Sequence, residues 1–139
     1  MANQAYADRH QLPDGRYAVD IDAAKTLAAE DSGLVQNVVA TGVTITLPAV
    51  ATQGVWTIRD GGVPETDGPD GAIVSASVVT VDPNASDTLA GLNQEGTEQD
   101  GKYFKNTAGD PGDEITILNT GATNGGLVGP TIGDWLAEG

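Results

Sequence analysis

No cysteine occurs in this chain. Neither a disulfide staple nor thiolate chemistry is therefore open to it, and its redox compartment leaves no mark. Histidine occurs once, at His10. No serine sits in a Gly-x-Ser-x-Gly setting, so a Ser-His-Asp charge system has almost no material to be built from. Aromatic rings are confined to Tyr6, Tyr17, Trp56, Tyr103, Phe104 and Trp135. So little ring surface for sugar stacking argues against a glycosidase, although any acidic chain supplies nominal carboxylate pairs. Basic residues number 6 against 20 acidic ones, a formal net charge of -14. That balance repels phosphate backbones and argues against direct nucleic-acid binding. No apolar run reaches the roughly 18 residues of a membrane-spanning helix. The opening MANQAYADRHQLPDGRY lacks the basic and continuous apolar regions of a secretory signal.

What the chain does have is punctuation: 19 glycines and 7 prolines between short runs of Val, Ile and Thr in 139 residues. That pattern predicts an all-β fold, a compact sandwich or barrel of roughly seven or eight short strands. The clearest stretch is Thr41 to Gly62, TGVTITLPAVATQGVWTIRDGG. Val43, Ile45 and Leu47 alternate with threonines, placing three apolar side chains on one face of a strand that Pro48 ends. A second strand opens at Gly54, carries Trp56 and Ile58, and closes at Asp60-Gly61-Gly62. Further strands are predicted over Leu34 to Ala40, Ala72 to Val81 with Val79 and Val81, Lys102 to Asn106, Glu114 to Asn119 with Ile115 and Ile117, and Ile132 to Leu136. The last tucks Trp135 into the core.

Residues Met1 to Asp20 are too polar to fold alone and are predicted to form an arm, leaving 21 to 139 as one β domain. In the arm, Tyr6, Leu12 and Tyr17 are candidate apolar anchors and Arg9 and Arg16 candidate charged ones. Ala23 to Glu30 is a marginal helix, a turn or a 3₁₀ segment. Asn119 to Gly129 reads as a glycine-rich loop.

Two acidic loops carry oxygen ligands of the kind calcium takes: Asp60, Asp67 and Asp70 in one, Asp110, Asp113 and Glu114 in the other. Neither has the spacing of a calcium-binding loop, and acids in turns ordinarily hydrogen-bond the backbone. Gly61-Gly62 and Gly125-Gly126 lack the Lys-Ser/Thr of a phosphate-binding loop. The residues point to no enzyme, no cofactor and no metal.

One pattern goes further than fold class. DSGLVQNVVATGVTITLPAVATQGVWTIRD, from Asp31 to Asp60, resembles a run in tailed-bacteriophage virion proteins: an Asp-Ser-Gly turn, a polar strand, a T-[ILV]-T-L-P strand, a short Ala/Gly link and a Tyr/Trp strand. VVTVDPNASDTLAG, KYFKNTAGDPGDEITILNTG and the closing GDWLAEG are similar to later parts of the same proteins. The resemblance covers about three quarters of the chain, Asp31 to Gly139. Among these proteins, a free-standing acidic chain of this size looks most like a head decoration, or cement, protein. The resemblance implies homotrimers on the capsid exterior, with N-terminal arms clasping the major capsid protein. It also occurs in fibre modules, which leaves open an adhesion domain for host-surface glycans. The scarcity of large rings separately favours a core completed between subunits. A sedimentation mass at micromolar concentration should therefore give a trimer; a monomer counts against one.

Overall fold

A computed structural model describes residues 9–49, 51–64, 73–75, 77–84, 89–91, 104–105, 110–119, 126–133 and 135–137. Its architecture is all-β, with fourteen strand segments and one 3₁₀ turn among the described residues. Strands β1 (His10–Gln11), β2 (Tyr17–Ile21), β4 (Val35–Val38), β6 (Gly54–Asp60), β12 (Glu114–Asn119), β13 (Gly126–Ile132) and β10 (Leu89–Gly91) form a seven-stranded sheet, hydrogen-bonded in that order. A five-stranded sheet runs β14 (Leu136–Ala137), β11 (Phe104–Lys105), β9 (Val79–Asp82), β5 (Val43–Thr46) and β3 (Lys25–Thr26). The pair β7 (Val63–Pro64) and β8 (Ile73–Ser75) stands apart.

From β2 to β6 the chain crosses from one sheet to the other with every strand. β2, β4 and β6 lie parallel in the large sheet, with Ala18 beside Val35 and Val35 beside Thr57. β3, β5 and β9 lie parallel in the small one, with Lys25 beside Ile45 and Val43 beside Val79. A parallel neighbour requires a crossover, and here a strand of the opposite sheet supplies it in place of a helix. The coils are unequal in length, so the sequence carries no fixed repeat. Antiparallel β12 then closes against β6, pairing Ile115 with Ile58 and Ile117 with Trp56.

Alternation decides which side chains enter. In β5 and β9 every second residue is buried, and β6 buries Trp56, Ile58 and Asp60. Val43, Ile45, Leu47, Trp56, Ile58, Val79, Val81, Ile115, Ile117 and Trp135 all lie in one buried cluster. Val19, Ile21, Leu27, Leu34 and Val38 complete it. The Thr41 to Gly62 strands do not pair with one another: β5 and β6 face each other across the core from different sheets.

Two sequence expectations change, and a third, open between helix, turn and 3₁₀ segment, is resolved. The arm over residues 1–20 does not extend to Asp20, because β2 is a full member of the large sheet, with Ala18 0% and Val19 2% exposed. Tyr6 and the rest of residues 1–8 lie outside the described residues. The loop expected from Asn119 to Gly129 gives way to β13 from Gly126, since this strand pairs with both β12 and β10. Around residues 23–30 the chain forms β3 and a 3₁₀ turn, Ala29–Asp31, because Asp31 accepts the Ala28 N–H at 2.9 Å and tightens the segment locally. The Asp110 to Asp113 turn does form, held by Asp113 N–H to Asp110 C=O and Asp110 N–H to Asp113 Oδ2, both 3.0 Å. Gly133, at φ +87°, lies against the Asp113 carboxylate where a Cβ would collide.

Removing residues 1–20 should therefore abolish cooperative unfolding, because it takes away β2 and its buried face. Ile58→Ala should cost about 2–5 kcal/mol by the cavity it leaves in the core. Urea denaturation followed by circular dichroism checks both.

Candidate functional site

The β1–β2 hairpin carries four of the five candidate anchors, and the fold gives them different duties. Leu12 and Arg16 close its turn through backbone hydrogen bonds, Leu12 N–H to Arg16 C=O at 2.7 Å and Gly15 N–H to Leu12 C=O at 2.9 Å. Gly15 adopts φ +92°, which a residue without a Cβ accepts freely. Asp14 then reads the Arg16 backbone N–H at 3.0 Å and its Nε at 2.8 Å. The other edge of the Arg16 guanidinium makes a two-pronged bond to Glu114 on β12, both distances 2.8 Å, across 98 positions of sequence. Arg16 is thus a clamp within the fold.

Beside this clamp runs a polar row on the outer face of the large sheet. The register sets Asp20, Asn37, Arg59 and Glu114 side by side on β2, β4, β6 and β12. Arg59 Nη1 donates to Asn37 Oδ1 at 3.0 Å, and Asn37 Nδ2 donates to Asp20 Oδ1 at 2.9 Å. His10 Nε2 meets the same Asp20 oxygen at 2.9 Å. The single histidine therefore fastens β1 to Asp20 of β2.

Arg9 and Tyr17 remain at the surface together. The Arg9 guanidinium lies 5.1 Å from the centre of the Tyr17 ring, a cation–π distance, and Tyr17 is 47% exposed. With Glu30, Ser32, Gly33 and Leu34 they line an open cleft of about 230 Å³. Chemically the cleft offers a ring, a cation, a carboxylate and backbone groups.

A second polar group lies between the sheets. Lys25 points inward from β3 and donates to Asp31 Oδ1 at 3.1 Å and to Gln36 Oε1 at 3.0 Å. Asp31 is 4% and Gln36 0% exposed. Sequence reasoning passed over Lys25, Gln36 and Asn37, and it offered Glu114 only as a loop acid, where the fold pairs it with Arg16. The visible hint was Gln36-Asn37 inside LVQNVVA, two amides in an otherwise apolar strand.

The acidic turns are taken up by the backbone. Asp60 Oδ1 accepts N–H groups from Gly62 and Ser77, both at 2.9 Å. Among the described residues, no group of three or more His, Cys, Asp or Glu side chains is placed to hold a metal ion. Asp67 and Asp70 lie outside the described residues.

Charge sets the expected response to acid. The Arg16 backbone N–H, followed by its side chain, holds the Asp14 carboxyl below its ordinary value of 3.8. A carboxylate favoured in the folded state adds stability above its unfolded pKa, and that stability disappears as pH falls through the lower folded value. Asp14→Asn should therefore lower stability near neutrality and flatten its loss below about pH 4, measured by urea titration across pH. The Arg16–Glu114 coupling in a double-mutant cycle should be about 1 kcal/mol, toward the upper end for a partly exposed pair, because Glu114 is largely buried.

No protein-family model matches the chain, and no curated protein matches it either.

Proposed function

We propose that this chain is a structural virion protein, a decoration or cement protein that binds the outer surface of a tailed-phage head where major capsid subunits meet. The observation that supports the reading is how the phage-like stretch Asp31 to Asp60 uses its polar side chains. Asp31 caps the 3₁₀ turn, Gln36 accepts from Lys25, Asn37 bridges Asp20 and Arg59, and Asp60 gathers two backbone N–H groups. Each holds the scaffold together, as suits a protein whose task is mechanical and whose contacts lie on its surface.

The mechanism is bridging. A protein that binds only the expanded shell adds its binding free energy to the stability of that shell. Three copies joined as a trimer would multiply weak contacts through effective concentration. With Tyr17 to Asp20 committed to β2, the clasp is assigned to the segment ahead of Arg9, which carries Tyr6, together with the adjoining Arg9–Tyr17 surface. Arg16 is withdrawn from that role by its bond to Glu114. The high negative charge keeps unbound trimers from associating further in solution.

The cleft beside Tyr17 favours a second reading, a fibre or adhesion module for host-surface glycans, since a ring next to charged groups is a fitting saccharide surface. Deleting residues 1–8 should leave thermal unfolding unchanged and abolish occupancy on expanded capsids; full occupancy would remove the clasp. A glycan array with and without calcium separates the two readings, because a cement protein should show no saccharide preference.

A further inference from the structure

Among the described residues, two hydrogen-bond donors in the interior have no acceptor: Gln36 Nε2 and Trp56 Nε1. Both residues are 0% exposed. An orphaned buried donor carries the full cost of leaving water, so native interiors almost always supply a partner. Rotating the Gln36 amide does not help, because its oxygen is already held by the Lys25 ammonium at 3.0 Å. Nor can the two nitrogens satisfy one another, since an indole N–H and an amide NH₂ only donate. The other tryptophan shows what such a ring normally finds: Trp135 Nε1 donates to Ile132 C=O at 3.1 Å.

The two donors occupy neighbouring places. Gln36 on β4 pairs with Ile58 on β6, and Trp56 lies two residues earlier on the same inward face, a diagonal neighbour within reach of long side chains. An oxygen is also close by. The point where a Cβ on Gly54 would sit is 2.7 Å from Trp56 Cζ2, on the nitrogen side of the ring, and 2.8 Å from Ser32 Oγ. Ser32 Oγ accepts the Val55 N–H at 2.9 Å and keeps a second lone pair and a rotatable hydrogen. Ser32 also lines the surface cleft with Arg9 and Tyr17.

We infer that one buried water molecule is bound here, accepting from Gln36 Nε2 and Trp56 Nε1 and donating toward Ser32 Oγ. Three polar contacts are the usual complement of an internal water. Water suits the site better than an anion, because Asp31 already balances the Lys25 charge at 3.1 Å. The cleft beside Tyr17 is its entry, and Ser32 connects the two.

A crystal structure of the full chain at high resolution tests this directly. The expected result is one ordered solvent peak within hydrogen-bonding distance of both Gln36 Nε2 and Trp56 Nε1. Density beside only one donor or neither, or a protein acceptor on either, overturns the proposal. In solution, oxygen-17 magnetic relaxation dispersion should detect a long-lived water that disappears in Trp56→Phe, which removes the donor and keeps an aromatic ring. Persistence of the signal in the folded variant overturns the assignment, and if that variant does not fold the crystal of the unaltered chain still decides.

Discussion

Parallel pairing is the constraint from which the rest of this molecule follows. A strand cannot lie parallel to its predecessor unless the chain returns to the same end first, and here it returns through the opposite sheet. Each coil therefore adds one strand to each sheet and one row of apolar side chains between them. Trp56, Ile58, Ile45 and Val81 are fully buried by this winding. β12 completes the enclosure by covering β6 along its whole length, Glu114 beside Arg59 through Asn119 beside Gly54. Non-local pairing of this kind makes the sheets interdependent: β12 has no place until β6 is in position.

The same winding explains where polar side chains could be used. Between the sheets, at the end of the coil where β3 is the outermost strand of its sheet, Lys25, Asp31 and Gln36 form a plug with its charges paired. On the outside, Arg16 ties the first hairpin to β12, while Arg59, Asn37, Asp20 and His10 link four neighbouring strands. Surface ion pairs add little stability singly. Their more consistent effect here is to hold β1 and β2, which lie at one edge of the large sheet, in a defined position. An ordered hairpin at that edge gives any segment preceding Arg9 a firm base, as the proposed bridging role requires.

The function proposed here depends on surface contacts, and surface contacts leave a faint trace in a single sequence. Tyr17 and Arg9 were legible as potential anchors because an aromatic residue and a cation in a polar stretch have no core to enter. Leu12 and Arg16 looked equivalent to them, yet the hairpin turn and Glu114 claim both. Nothing local to Arg16 announces a carboxylate 98 positions away. The neighbouring donors of Gln36 and Trp56 were hidden too: Gln36 stands out as an amide in an apolar strand, but nothing local ties it to Trp56 until the register sets both on one face.

Sequence alone determined the fold class, the position of most central strands and the identity of ten core side chains from Val43 to Trp135. Those properties are set locally: period-two alternation, β-branched residues and glycine or proline breaks act over a few neighbours. Tertiary structure alone decided that β5 and β6 belong to different sheets, that Tyr17 to Asp20 is strand, and that Gly126 begins another. These outcomes rest on pairing between distant segments, and a polar or glycine-rich stretch becomes a strand when a neighbour offers it an edge. The physical divide is range: alternation says which face of a strand is apolar, and only the winding of the whole chain says what that face meets.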